Sequence, residues 1–131
     1  MPAAPFDAQR ARRTLFEALL EAAREHGMTK EIVADADGQT LTYRRLIQAA
    51  IVLGGKLEAV CPPGYPVGVL LPNASGAVVT LMALSAYGRT PAMLNFTAGH
   101  RNLASAIRTA PIRTLLRSEE RRVGKECRSR W

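Results

Sequence analysis

The sequence predicts an α/β fold in which a parallel βαβαβ segment follows a helix, a hairpin and a second helix. From Val67 onward, apolar runs of strand length alternate with segments of helix length. Such alternation is typical of a parallel sheet with right-handed crossovers. The run Val67–Leu71 is short and continuously apolar, as expected of a strand buried on both faces. The composition, 47% hydrophobic and 22% charged, is that of a globular domain.

A helix is predicted after a short segment with little regular structure. Residues 1–13 are rich in Pro and Ala, and we expect them to be loose. Thr14 and Glu17 have the spacing of a capping box, in which each side chain accepts a hydrogen bond from the other residue's backbone N–H. Apolar residues then recur at helical spacing as far as Gly27, a typical C-terminal stop. The first helix is therefore predicted over residues 14–26.

A β-hairpin is predicted next. Residues 31–35 and 39–42 form two short runs on either side of a turn that contains Asp37-Gly38. An Asp-Gly pair adopts the positive φ of a tight turn at low cost. The two runs are therefore expected to pair as neighbouring strands.

A second helix is predicted to begin near Thr42. Apolar residues follow at i, i+3, i+4 and i+7 spacing over four turns, and the charged residues lie mostly off that stripe. Gly54 and Gly55 each disfavour a helix by roughly 1 kcal/mol relative to Ala. Close packing against another helix would account for the pair. A phosphate-binding turn is not expected there, because no strand precedes the glycines.

The rest of the chain is predicted to alternate strands and helices after a turn at residues 61–66. The predicted strands are residues 67–71, 91–95 and 112–116, and the predicted helices are residues 74–87 and 99–109. Asn73 is predicted to cap the first of these two helices and Thr97 the second. The first helix is apolar nearly all round, so we expect it to be buried.

The carboxyl ends of the parallel strands mark the place where a ligand is expected. In open parallel sheets ligands bind beyond these ends, which here are Pro72-Asn73 and residues 95–97. Asn95 and Thr97 are therefore the candidate site residues. Turn formation and helix capping are the alternative explanation for both side chains.

Other reactive side chains are not predicted to be catalytic. They are Ser75, Ser85, His26, His100, Cys61 and Cys127. Cys61 is expected to be structural, and the two histidines are expected to lie at the surface. Neither serine has the flanking glycines of a nucleophile motif, and the histidines lie near predicted helix ends. The cysteines and histidines lack the pair spacing of a zinc site. No catalytic, cofactor-binding or metal-binding residue is assigned from these patterns.

The net charge of +7 does not predict a nucleic-acid partner. Residues 117–131 supply +3 of that charge, and the rest of the chain has no cluster of Lys and Arg interleaved with aromatic residues. No apolar run approaches the ~20 residues of a membrane-spanning helix. Glu17 and Glu21 interrupt what would be the apolar core of a signal peptide. We therefore expect a cytoplasmic protein.

Residues 117–131 are expected to be a non-native tail. They have no apolar period, and all fifteen residues resemble a direct translation of a common sequencing-library adapter. On this interpretation the natural sequence stops near Leu116. Gly124-Lys125 is then no remnant of a phosphate loop, and the flanking residues of that motif are missing. The alternative is a natural basic tail that binds an acidic partner.

Four segments resemble the N-terminal subdomain of the AMP-binding, adenylate-forming synthetases. They are LTYRRL at residues 41–46, VGVLLPNA at 67–74, LMALSAYG at 81–88 and PAMLNFTAG at 91–99. The resemblance covers about residues 14–116 and implies an incomplete N-terminal subdomain of that fold. The last segment is most similar to the synthetase half of the bacterial acyl-(acyl carrier protein)–phospholipid O-acyltransferases, also called 2-acylglycerophosphoethanolamine acyltransferases.

The resemblance implies an enzyme that uses ATP and Mg²⁺ to convert a fatty acid to an acyl-adenylate. The acyl group would pass to a thiol of acyl carrier protein or coenzyme A. In the acyltransferase group it would pass on to a lysophospholipid, at the inner face of the membrane. The family's phosphate loop ending in Pro-Lys-Gly, its aromatic-Gly-Thr-Glu segment, its ribose-binding Asp and its C-terminal Lys have no counterpart in these residues. We therefore expect the chain itself to be inactive.

Two other functions fit the same residues. One is a small α/β binding module that uses its basic tail to bind an anionic partner. The other is part of an acyl-activating enzyme for a different carboxylate, such as an aryl acid or an amino acid. The matched segments do not distinguish these carboxylates, because most of the family's acid-binding pocket lies downstream of them.

Overall fold

The helices and strands occur in the predicted order along residues 4–118, the part of the chain that this computed structural model describes. The helices are α1 (Leu15–His26), α2 (Tyr43–Glu58), α3 (Ser75–Ala86) and α4 (His100–Thr109). The strands are β1 (Glu31–Ala34), β2 (Thr40–Thr42), β3 (Val67–Leu70), β4 (Pro91–Met93) and β5 (Thr114–Arg117). Single 3₁₀ turns lie at Arg10–Arg12 and Phe96–Ala98. The predicted α/β class is confirmed.

The strands form two separate sheets. β1 and β2 pair antiparallel as the predicted hairpin, and Gly38 in its turn has a φ of 79°. β3, β4 and β5 form a parallel sheet in the order β4-β3-β5. β3 is therefore hydrogen-bonded on both sides, and its Val67 and Val69 are buried. The continuous hydrophobicity of this strand reflects its central position.

Residues of α2 and α3 pack against the central strand in one hydrophobic cluster. Leu57 of α2 and Leu84 of α3 meet Val67 and Val69 there, together with Cys61. Cys61 is completely buried, and burial raises the pKa of its thiol. The thiol is therefore a packing group, as the sequence predicts.

A second hydrophobic cluster joins the first three helices. It contains Leu19 and Ala23 of α1 and Tyr43, Leu46 and Ile47 of α2, with Val78, Val79 and Met82 of α3 packed against it. These residues recur at the helical spacing seen in the sequence. By contrast, α4 has no buried residue.

The start of α1 is held by side chains from two parts of the chain. Thr14 N donates to Glu17 Oε2 at 2.8 Å, and Glu17 N donates to Thr14 Oγ1 at 3.1 Å. The predicted capping box is confirmed. Ser85 of α3 adds a third bond, because its Oγ accepts from Phe16 N at 3.2 Å. Ser85 therefore has a structural role.

The N-terminal segment contains more structure than predicted. Asp7 accepts backbone N–H bonds at the start of the 3₁₀ turn Arg10–Arg12. Arg13, directly after this turn, pairs with Glu21 of α1. The turn departs from the loose segment expected over residues 1–13, of which the first three are not described.

Two predicted helix caps are wrong. The N-cap of α3 is Ala74, which has no side-chain oxygen, and Asn73 lies one residue too early to cap this helix. The N-cap of α4 is Gly99 with a φ of 80°, and Thr97 belongs instead to the preceding 3₁₀ turn. Both errors arise because the chain after each strand turns once more before its helix begins.

The last strand lies slightly further along the chain than predicted. β5 starts two residues later than expected and includes Arg117. Arg117 and Ser118 are the only residues of the predicted non-native tail that fall within the described part of the chain. Residues 119–131, which include Gly124-Lys125 and Cys127, lie outside the described residues.

Helices α2 and α3 meet at Gly54 with the ring of Tyr87 between them. A Cβ added at Gly54 would overlap the Cδ2 and Cε2 atoms of that ring and would lie 2.9 Å from the carbonyl oxygen of Ala83. Tyr87 Oη donates to Ile51 O at 3.2 Å, which fixes the ring in place. Close packing therefore explains Gly54, as predicted. A Cβ at the neighbouring Gly55 would only touch Tyr87 Oη at 3.4 Å.

Substitution by alanine is expected to have different effects on stability at the two glycines. Gly54→Ala should lower the free energy of unfolding by about 1–3 kcal/mol, because overpacking forces Tyr87 to move. Gly55→Ala has room for its methyl group and should be neutral or stabilising by up to about 1 kcal/mol, since Ala is the better helix former. Urea unfolding followed by far-UV circular dichroism measures both. Equal destabilisation by the two variants would contradict the packing explanation.

Candidate functional site

The carboxyl ends of β3 and β4 open into a common cleft. Because these strands are parallel, the chain leaves both at the same edge of the sheet. The cleft has a volume of about 500 Å³ and is lined by Leu71, Asn73, Met93, Leu94, Asn95 and Thr97. The structure thus brings both predicted strand ends and both candidate site residues to one place.

Asn95 and Thr97 are bonded to each other at the rim of this cleft. Asn95 Oδ1 accepts from Thr97 N at 2.9 Å and from Thr97 Oγ1 at 2.7 Å. Asn95 thereby caps the 3₁₀ turn Phe96–Ala98, and both side chains are otherwise exposed. This geometry supports the turn-forming explanation of the pair. A role for either residue in ligand contact stays a prediction.

A second cleft of about 500 Å³ is almost entirely apolar. Its apolar walls come from the hairpin, α2, α3 and the chain after β3, and consist of Leu41, Leu53, Leu71, Pro72, Ala74, Ala77 and Val79. The polar side chains that reach it are Ser75, Thr80 and Ser118. Thr80 is buried and donates to Gly76 O at 2.8 Å, so its hydroxyl is satisfied. This cleft offers apolar contact and no charged group.

The start of α3 is held in place by a carboxylate from the hairpin. Asp35 Oδ2 accepts from Ser75 N at 3.0 Å, and Asp35 Oδ1 accepts from Ala36 N at 2.8 Å. A carboxylate at a helix N-terminus satisfies an orphan N–H and complements the helix dipole. Asp35 therefore does what Asn73 was predicted to do. A contact across forty residues has no signal in local spacing, which is why sequence reasoning missed it.

The same two hydrogen bonds alter the protonation of Asp35. The backbone N–H of Ser75, and after it that of Ala36, stabilises the charged form and lowers the pKa of the carboxyl below its ordinary value. The folded-state pKa is therefore depressed relative to the unfolded chain. Stability from this group is complete above the ordinary pKa and is lost as the pH falls through the lower, folded value.

Ser85, His26, His100 and Cys61 line neither of the two large clefts. Ser75 lines the apolar cleft, and its N–H is capped by Asp35. His26 ends α1 and His100 begins α4, and both side chains are exposed. Within residues 4–118, no three side chains of His, Cys, Asp or Glu are grouped so that they could hold a metal ion. In the same part of the chain, no helix is both long enough and apolar enough to cross a membrane.

The sequence matches one family of known proteins over most of its length. The sequence model of the AMP-binding enzyme family matches residues 19–130. The match therefore runs from the middle of α1 through β5 and into the residues beyond 118.

Several solved structures share the fold. The N-terminal subdomain of Klebsiella oxytoca NpsA, in complex with 3-hydroxybenzoyl-AMSN, gives a TM-score of 0.72 at 18% identity, over 80% of this chain and 26% of that one. An artificially fused NpsA-ThdA adenylation-PCP di-domain NRPS from the same organism gives 0.73 at 17% identity, over 87% and 21% of the two chains. VinN gives 0.71 at 22% identity, over 79% and 27%. At these identities the likeness shows the fold, and this chain spans only about a quarter of each structure.

Removing the carboxylate of Asp35 is expected to destabilise the chain in a way that depends on pH. Asp35→Ala should lower the urea midpoint at neutral pH, because α3 loses its only side-chain cap in the described chain. The difference from the wild type should begin to narrow as the pH falls below the ordinary carboxyl pKa of about 4. It should close only below the lower, folded pKa, where the wild-type carboxyl is protonated in the folded chain as well. Asp37→Ala, an exposed change in the same turn, is the matched control and should leave the midpoint unchanged.

Ser75→Pro tests the same hydrogen bond from the donor side. Pro lacks the N–H but is favoured at the first position of a helix, so the variant should fold. Asp35→Ala should then cost less in the Ser75→Pro background than in the wild type, as measured by a double-mutant cycle of urea midpoints. Additive effects of the two changes would show that Asp35 acts only within its own turn.

Proposed function

This chain belongs to the AMP-binding enzyme family, and we propose that the longer protein of which it is part is an adenylate-forming ligase. In such an enzyme a carboxylate attacks the α-phosphate of ATP, so that an acyl-adenylate forms and pyrophosphate leaves. A thiol then attacks the acyl carbonyl, and AMP leaves. The family match over residues 19–130 is the observation that carries this proposal.

The fold is consistent with a scaffolding part of such an enzyme. Its parallel sheet has a cleft at the carboxyl edge. The fold is similar to that of the N-terminal subdomain of NpsA. Because the chain spans about a quarter of the structures it resembles, the activity is proposed for the longer protein. For the chain alone we propose no activity, since none of the family's catalytic motifs occurs in its sequence.

We propose a fatty acid as the carboxylate and an acyl carrier protein or coenzyme A as the thiol acceptor. The resemblance of residues 91–99 to the phospholipid acyltransferase group supports the fatty acid, with a lysophospholipid as the final acceptor. The adenylation-PCP fusion among the similar structures supports a carrier-protein acceptor. On this proposal the longer protein works in the cytoplasm, against the inner face of the membrane.

An aryl acid is the second candidate for the carboxylate. Structures of the NpsA subdomain hold 3-hydroxybenzoyl-AMSN and anthranilyl-AMSN, so a protein with this fold binds compounds with aromatic acyl groups. The likeness to that protein is at 18% identity, which is why the fatty acid remains the first candidate.

The described clefts do not fit ATP or Mg²⁺. Mg²⁺ prefers carboxylate oxygens and substrate phosphates, and phosphates are held by basic side chains or rows of backbone N–H groups. Neither of the two large clefts is lined by an acidic or a basic side chain. Asp35, the carboxylate bonded to Ser75 of the apolar cleft, already accepts two backbone N–H bonds. No step of the reaction is therefore assigned to residues 4–118.

An assay of the exchange of pyrophosphate into ATP distinguishes these proposals. The product of the complete gene should exchange pyrophosphate into ATP when a long-chain fatty acid is added. Benzoate derivatives and amino acids should support exchange at rates lower by about tenfold or more, as expected of a pocket shaped for another acid. Exchange that depends on an aryl acid would select the second candidate. Absence of exchange with every carboxylate would contradict the ligase proposal.

The 131-residue chain provides the matching negative experiment. With ATP, Mg²⁺ and palmitate it should form no acyl-adenylate above the blank, measured as hydroxamate after trapping with hydroxylamine. Measurable hydroxamate would show that these residues hold a catalytic site.

A further inference from the structure

Acidic residues are absent from one half of the described chain. Residues 59–118, which contain β3, β4, β5, α3 and α4, hold five arginines and no Asp or Glu. All eight acidic residues of the described part lie within residues 4–58. A surface with one sign of charge attracts partners of the other sign and favours their correct orientation.

Two of the five arginines have a role within the fold. Arg89 is half-buried, and it donates from Nε to Cys61 O at 2.9 Å and from Nη1 to Tyr87 O at 2.7 Å. The guanidinium of Arg113 lies 3.7 Å from the ring centroid of Tyr65, which is a cation–π contact. These contacts account for both residues without an external partner.

Arg101 and Arg108 of α4 have no corresponding role. Both side chains are exposed, and neither forms a hydrogen bond or an ion pair with another residue among residues 4–118. They are seven positions apart in the sequence, so they lie on the same face of the helix, about 10 Å apart along its axis. Ala104 and Ser105 lie between them and are also exposed. The outer face of α4 thus presents two guanidinium groups with a surface of small residues between them.

We propose that this face of α4, formed by Arg101, Ala104, Ser105 and Arg108, binds an acidic protein. The partner would present carboxylates about two helical turns apart, each able to accept a bidentate bond from one arginine. The small residues between the arginines let a helix or strand of the partner approach closely. The proposal goes beyond the ligase reaction, because it concerns binding and holds whichever carboxylate is activated.

The chemistry of the face favours a protein over other anionic partners. An amphipathic helix that binds an anionic membrane inserts large apolar side chains, and this face has none. Proteins that bind single-stranded nucleic acid stack bases on aromatic side chains, and the face formed by Arg101, Ala104, Ser105 and Arg108 has none. Two arginines on one helix face, with small residues between them, are suited instead to a folded partner with carboxylates at matching spacing.

Binding of fluorescein-labelled poly-L-glutamate to the 131-residue chain tests this proposal by fluorescence anisotropy. Arg101→Glu/Arg108→Glu should weaken binding by about tenfold or more at low ionic strength, because reversal replaces two attractions by two repulsions. The matched control is Arg44→Glu/Arg45→Glu, which makes the same charge change at two exposed positions of α2 in the acid-containing half. The control should reduce binding by less than about twofold.

The alternatives give different results in the same set of measurements. Equal weakening by the two double variants would show that only net charge matters, and would overturn the proposal. So would dependence on residues 119–131, detected as loss of binding in Arg121→Glu/Arg122→Glu but not in the α4 variant. Vesicles with about 30% phosphatidylglycerol and a 20-base-pair DNA duplex are the remaining probes. Tighter binding to either probe that depends on Arg101 and Arg108 would replace the protein by that partner.

A milder variant is the control for loss of structure in the charge-reversed variant. Arg101→Gln/Arg108→Gln removes the charges without reversing them and should retain the wild-type circular dichroism spectrum. It should weaken binding of poly-L-glutamate by an intermediate amount. An unchanged affinity in this folded variant would also overturn the proposal.

Discussion

The contact between α2 and α3 at Gly54 sets the position of most other elements. Because Gly54 has no side chain, the ring of Tyr87 lies directly against the backbone of α2. Ala50 of α2 and Ala83 of α3 are completely buried, so both helices have further small residues where they pack closely. The two helices then reach β3 together through Leu57 and Leu84. α3 follows β3 and leads into β4. Its distance from α2 therefore determines where β4 meets β3, and with it the position of the carboxyl edge of the sheet.

The sequence predicted the parts of this fold that depend on local spacing. Apolar periodicity located α1 and α2, and the Thr14–Glu17 pair marked the helix start correctly because both partners lie within one turn. The hairpin and the central strand followed from turn chemistry and unbroken hydrophobicity. Asn73 and Thr97 failed as caps because the chain makes a further turn before each helix.

The features that needed the structure are those that join distant residues. The sequence placed Asn95 and Thr97 at a strand end, but their mutual hydrogen bonds and the cleft beside them depend on how β3 and β4 align. The bond from Ser75 to Asp35 joins two elements with no shared periodicity. Family membership rests on the whole pattern of segments rather than on any one side chain. On the proposed function, this region therefore contributes shape and support to a ligase, and the described clefts contribute no charge.

The order β4-β3-β5 leaves two strands with one open edge each within the described chain. Backbone N–H and C=O groups along such edges can pair with a strand of another molecule. Met93 on β4 is 60% exposed and Leu115 on β5 is 39% exposed, so apolar contacts would accompany that pairing. Arg117 at the end of β5 opposes it, because two copies brought edge to edge would place like charges together. Colloidal behaviour should therefore depend on salt: the molecules repel at low ionic strength and associate as the arginines are screened.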